Sequence, residues 1–150
     1  MLLNLLTGLP VMLLCLVLQA IFVTVNLRYY ARFRLAHEDR ESQWLEILLL
    51  SVAMLLMLLS NMAQMVIWAV LFMLLGEFGD FTTALYHSAV NFVTLGYGDI
   101  VMSARWRLLG PLEAVNGILM FGVSTAVMTA AILDVVKHRT AQLKQHDADK

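Results

Sequence analysis

The chain lacks most of what chemistry needs. Cys15 is its one cysteine in 150 residues, so no intrachain disulfide can form, and the thiol is expected to pack as a small apolar group. Charged residues make up 14% of the chain and the formal net charge is -1, which says little about partners; no nucleic acid is expected. There is no glycine-rich phosphate loop, no paired Cys/His metal spacing and no Ser/His/Asp arrangement. No covalent reaction is implied, so neither an enzyme nor an organic cofactor is expected. Internal repeats are missing too. No apolar stretch carries basic residues at every third position, which excludes a voltage-sensor pattern.

What is present is apolar side chain, 61% of the residues, far more than a soluble domain of this size could hide. It comes in blocks. Residues 1–27, 47–76 and 114–133 contain no charged side chain. Crossing the hydrocarbon core takes about 20 apolar residues, and these three blocks suffice. A fourth block, 81–98, contains His87, Asn91 and two glycines and does not. The first block lacks the positive start of a signal peptide and its apolar part is too long, so a retained helix is expected. Arg28, Arg32, Arg34 and Arg40 follow the first span, and Lys137, Arg139, Lys144 and Lys150 follow the last. Only Arg105 and Arg107 lie between the second and third. The positive-inside rule therefore puts 28–46 and 137–150 in the cytoplasm, and 77–112 and the N-terminus outside, in a multi-pass protein of the cell membrane.

The fourth block must dip into the membrane and return. Asp80 can cap a helix over 81–93 by accepting from free first-turn amides. Such a helix is about 20 Å long, enough to go partway into the bilayer. Residues 94–99, T-L-G-Y-G-D, then come back as extended chain. Backbone at that depth must satisfy its own hydrogen bonds or line a wet cavity. Glycines at alternate positions permit backbone angles closed to other residues, so successive carbonyls can turn to one side. Several such strands around an axis would stack carbonyl rings that replace the water shell of a cation. The C-terminal ends of the short helices would favour a cation below them.

T-L-G-Y-G-D resembles the selectivity filter of the pore-loop potassium channels, usually T-V-G-Y-G-D. Upstream, A-L-Y-H-S-A-V-N-F-V resembles that family's pore helix; downstream, G-I-L-M-F-G resembles its glycine-bearing inner helix. The likeness covers about residues 47–135 and leaves out the first span and the link after it. It implies K⁺ sites at Thr94, Leu95, Gly96 and Tyr97, with Gly98 completing the filter. Asp99 would stand at the outer mouth, braced by Tyr86 or His87, and the Tyr97 ring would pack outward to hold the pore diameter. Leu95 departs from the usual Val or Ile and loses the β-branch that stiffens extended backbone. Val93 stands where many members have a second Thr. If His87 is the brace, channel availability changes as external pH passes through about 6.5.

Several residues keep two readings. The family reading makes Gly117 or Gly122 a hinge of the inner helix, whereas small residues also simply permit close packing. Phe121, Thr125 and Thr129 form a stripe that would line the pore, yet Thr in a membrane helix often bonds its own backbone. Glu113 lies inside the third span and either tethers the filter through Asn91 or Arg107, or is an interfacial acid near a helix start. Asn61 and Gln64 suit interhelical hydrogen bonds. The link 28–46 carries the spaced pairs Arg34/Glu38 and His37/Glu41. It reads either as an interfacial helix whose Arg28, Arg32 and Arg34 meet anionic lipid, or as a plain hairpin.

The expected fold is thus all-α and membrane-embedded: a first span (1–27), a cytoplasmic link (28–46) and a pore domain (47–136). Within the pore domain are an outer helix (47–76), a pore helix (81–93), the filter (94–99) and an inner helix (107–136). A cytoplasmic tail (137–150), too short for a ligand-binding domain, prolongs the last helix by a few turns. A carbonyl cage needs four strands, so a homotetramer is expected, conducting K⁺ passively. The alternatives are a weakly selective cation channel and a non-conducting membrane scaffold.

Overall fold

The computed structural model describes the backbone of residues 1–36 and 43–148, and the side chains of 1–35 and 43–140. Four helices account for most of it: α1 (Leu2–Ala36), α2 (Gln43–Leu74), α3 (Phe81–Phe92) and α4 (Leu109–Ala148). Among the described residues there is no strand. Three helices, α1, α2 and α4, are long and apolar enough to cross a membrane; α3 is not. The boundaries depart from those read off the sequence. Positions 28–36 continue α1 and positions 43–46 already belong to α2, so most of the link is helix in register with its neighbours. The pairs Arg34/Glu38 and His37/Glu41, and Arg40, involve positions outside the described residues. At the other end α4 begins at Leu109 and runs through the tail to Ala148.

Local chemistry explains where the helices stop. Gly76 adopts φ +74° just past α2, its amide donating to the Met73 carbonyl and the Glu77 amide to the Phe72 carbonyl. This paired cap satisfies the last carbonyls of α2, and a left-handed residue at its centre is easiest for glycine. Asp80 starts α3, its Oδ1 accepting from the Thr83 amide at 2.8 Å. The Thr83 hydroxyl and then the Thr83 amide hold the exposed Asp80 carboxylate below the usual range. Val93 closes α3 with its amide on the Ala89 carbonyl.

α1 runs antiparallel to α2 and parallel to α4 and packs on both; α3 is held between α2 and α4. The upper end of the bundle carries the starts of α1 and α4, the lower end their later turns. The core at the upper half is Trp68 and Phe72 of α2, Phe92 of α3, Leu109 and Met120 of α4, and Cys15 of α1, closed above by Met102 and Trp106. In lipid such packing gains little from leaving water. Close van der Waals contact and interhelical hydrogen bonds hold the helices together instead.

Those bonds are concentrated on one face of α1. Asn4, Gly8, Cys15, Gln19 and Asn26 are all buried, while Leu6, Leu13, Leu14, Val17 and Ile21 face outward. The Gln19 Oε1 accepts from Ser60 Oγ at 2.6 Å and from Gln64 Nε2 at 2.8 Å, and its Nε2 donates to Ser124 Oγ at 3.1 Å. Asn116 Nδ2 reaches Gln64 Oε1, and Asn61 Nδ2 reaches Ser124 Oγ, both at 3.4 Å. Asn26 donates to the Ala53 carbonyl lower down, and Asn4 to the Arg105 carbonyl at the top. Asn61 and Gln64 therefore link helices, and the first span is bonded into the unit along its length. At Gly8 an added Cβ would come within 2.8 Å of Leu112, so α1 meets α4 there at close quarters.

Candidate functional site

The segment 93–99 is exposed throughout and is not helical. Its backbone is unusual. Thr94, Gly96 and Gly98 have φ of +60°, +56° and +74°, left-handed at every second residue. Glycine takes these angles freely. Thr94 is β-branched and does not; a residue held there costs on the order of 1–3 kcal/mol, and such strain gathers at functional sites.

Amides and carbonyls of the segment are treated differently. The amides of Leu95 and Gly96 both fold back on the Val90 carbonyl, at 2.9 and 3.3 Å, and the Thr94 amide donates to Asn91 at 2.8 Å. Among the described residues, none of the carbonyls of 94–98 accepts a hydrogen bond from within the chain. Leu95 is 52% exposed and Tyr97 66%, so neither ring nor isobutyl group is packed within one chain.

Above the segment, Tyr86 Oη donates to Asp99 Oδ2 at 2.7 Å. This bond holds the Asp99 carboxylate below its usual range and pushes the Tyr86 phenol up. His87 does something else. Its Nδ1 donates to the Ile100 carbonyl at 3.1 Å, and its Nε2 accepts from Asn91 Nδ2 at 2.8 Å. The ring stands edge-on to Phe72 and tilted against Phe78, with centroids 5.5 and 4.9 Å away. Both nitrogens are thus used by the neutral form, and burial pushes the imidazole below its ordinary value. Of the two aromatic candidates, Tyr86 holds the acid; His87 holds the backbone one residue beyond it.

Behind α3 lies Glu113, fully buried. Its partners are Ser88 and Asn91 rather than Arg107: Oε1 is hydrogen-bonded to Ser88 Oγ, whose single proton is shared with the Met65 carbonyl at 2.8 Å, and the Asn91 side chain also bonds the carboxyl. A carboxyl group so deep needs hydrogen-bond partners, and Ser88 lies one helical turn before Asn91 on α3. Asn91 also packs beside Gly110, where an added Cβ would lie 3.4 Å from its amide nitrogen.

The two glycines of α4 differ sharply. A Cβ on Gly117 would fall 1.9 Å from the Phe92 carbonyl oxygen, so α4 presses on the backbone that closes α3. Gly122 has nothing within 4 Å. Close packing thus accounts for Gly117, within a helix that continues unbroken past it. Phe121, Gly122, Thr125 and Thr129 lie on the exposed face of α4. The Phe121 ring meets Phe92 edge-on at 5.6 Å, and the Thr125 hydroxyl donates to the Phe121 carbonyl at 2.8 Å, the backbone bond common for Thr in such helices.

Sequence reasoning passed over Glu77. Its two oxygens take the Ser103 amide and hydroxyl, each at 2.6 Å, fastening the turn before α3 to the loop after 99. Nothing local announces a pair 26 residues apart. Among the described residues there is no cluster of His, Cys, Asp and Glu able to hold a metal ion.

A protein-family model described as an ion channel matches residues 56–134, more than half of the chain. No curated protein and no solved structure matches.

Proposed function

Since the chain belongs to that ion channel family, we propose that it conducts K⁺ passively and selectively across the cell membrane. The observation that carries this reading is the pairing of left-handed φ at Thr94, Gly96 and Gly98 with a row of carbonyls that nothing among the described residues uses. Backbone in an apolar setting does not leave polar groups idle unless they line a wet path. In a homotetramer with α3 re-entrant, four copies of 94–98 would supply stacked oxygens in place of a cation's hydration shell. Thr94, Leu95, Gly96 and Tyr97 then provide the K⁺ sites. Asp99, held by Tyr86, marks the outer mouth, and Phe121, Thr125 and Thr129 face the path below. The exposed Leu95 and Tyr97 side chains pack against neighbouring subunits, where Tyr97 stiffens the ring. The N-terminus lies outside and the end of α4 in the cytoplasm, with Arg28 and Arg32 beside anionic headgroups.

One observation favours a weakly selective pore instead: Leu95 is unbranched at Cβ at the position where stiffness matters most. Reconstituted liposomes test both readings. Rb⁺ uptake that Ba²⁺ blocks and Gly96→Ala abolishes is expected, with bi-ionic reversal potentials close to the K⁺ limit. Equal permeation of Na⁺ would replace the selective reading with the weakly selective one. Tetramers without flux at any voltage, pH or lipid composition would overturn conduction.

A further inference from the structure

The lower end of α4 is held by two ion pairs of opposite polarity. Asp134 receives the Arg34 guanidinium of α1, with Nε at 3.1 Å and Nη2 at 2.9 Å from its Oδ2. Arg34 Nη2 also approaches the Asp134 carbonyl at 3.5 Å. Tyr30, one turn earlier on α1, sets its hydroxyl between the same Oδ2, at 2.8 Å, and the Ala131 carbonyl, at 3.3 Å. Beyond this cluster Arg139 of α4 meets Glu46 of α2, Nε at 2.7 Å and Nη2 at 2.6 Å from Oε2.

Positions five apart on a helix are turned by about 140° from each other, so Asp134 and Arg139 pull on different sides of α4. An acid bound to α1 and a base bound to α2 together fix both the rotation of α4 and its distance from the other helices. Neither pair is deeply buried: the side chains are 26% and 51% exposed in the first, 49% and 17% in the second. Contacts of this kind are strong enough to bias an equilibrium and weak enough to break reversibly. They also act far along the chain from the segment 94–99, on the part of α4 that must move if the path below that segment widens.

We propose that Tyr30, Arg34 and Glu46 form a latch on Asp134 and Arg139 that sets the balance between conducting and non-conducting positions of α4, which makes the first span a gating element. This rests on the conduction reading above, and the test separates the two. Single-channel recordings are made on the reconstituted full chain and on Arg34→Gln, Asp134→Asn and Tyr30→Phe, with the charge swap Arg34→Asp/Asp134→Arg. Each single change is expected to shift open probability by about two- to fivefold per subunit, with unitary current and reversal potential unchanged. The swap returns it toward the native value. Unchanged open probability in the single variants, or a change in unitary current alone, overturns the latch.

A second measurement does not need current. Spin labels at Leu35→Cys and Lys137→Cys report the α1–α4 distance by pulsed electron resonance. A broadened or lengthened distribution in Asp134→Asn supports the latch even if the native chain carries no current, which would count against conduction alone. An identical distribution in that variant overturns the latch.

Discussion

Two sets of polar groups sit in this apolar chain, and they are handled in opposite ways. Along α1, α2 and α4, Gln19, Ser60, Gln64, Asn116 and Ser124 are buried and bonded to one another across three helices. In the segment 94–98 the residues are exposed and, among the described residues, nothing donates to their carbonyls. Where the chain needs cohesion, these side chains are turned inward and bonded across helices, although the Oδ1 atoms of Asn61 and Asn116 find no donor among the described residues. Where it leaves a row of oxygens free, it fastens the segment at its two ends, by the Leu95 and Gly96 amides on Val90 at one and by Tyr86 on Asp99 and His87 on Ile100 just past the other. A row of oxygens held this firmly and left unpaired is suited to a ligand that comes and goes.

The contrast can be broken first at the contact that supports the row. Gly117→Ala puts a methyl into the Phe92 carbonyl, and overpacking of backbone costs about 1–3 kcal/mol or more, so flux and thermal stability in detergent should both fall steeply. Gly122→Ala, with open space around it, should melt within a degree or two of the native chain, the small change typical of sites without contacts. Equal melting of the two variants would contradict the packing described. A smaller effect is expected from the bonded set. Gln64→Leu strips partners from Gln19 and Asn116 and should cost about 0.6–1.7 kcal/mol in equilibrium unfolding from the bilayer, while ion selectivity stays unchanged.

The mildest tests are titrations. His87 is neutral in its bonds to Ile100 and Asn91, and burial lowers its folded-state value below the ordinary 6.5. As pH falls below about 6.5 the unfolded chain takes the proton first, so stability is full above that point and is lost on descending toward the folded value. Flux should therefore be flat from external pH 8 to about 6.5 and decline only below it, and His87→Gln should remove the decline. A native response already complete at pH 7 would refute this. For Asp99 the lowered carboxyl means that its bond to Tyr86 is intact above about 3.8 and lost as pH falls through the folded value. Tyr86→Phe should move that acid midpoint upward, read from the carboxylate band in infrared titration of native and Asp99→Asn chains.

Much of this was legible from residue order. Block lengths gave the three long helices, Asp80 marked the start of α3, and alternating glycines marked the break after it. These signals are local. The face of α1 was legible in principle and easily missed: Asn4, Gly8, Cys15, Gln19 and Asn26 recur at steps of four and seven. In water the apolar stripe of a helix is buried, but next to lipid the sparse polar and small residues mark the packed side. The ion pairs Arg34–Asp134 and Arg139–Glu46, the Glu77–Ser103 bonds and the seat of Gly117 on Phe92 had no local signal. Each joins positions far apart in sequence whose residue types suit many partners.

The Glu77–Ser103 bonds carry one more consequence. They join the two ends of the stretch that holds α3 and the segment 94–99, and so turn it into a ring sewn shut at the upper surface. A ring closed at its neck can be lifted out as one piece: its geometry depends on its own closure and on the α2 and α4 surfaces beneath it, not on the length or path of the chain beyond. The stretch 77–103 is therefore the natural cassette for grafting onto another pair of membrane helices, with Glu77 and Ser103 as the seam.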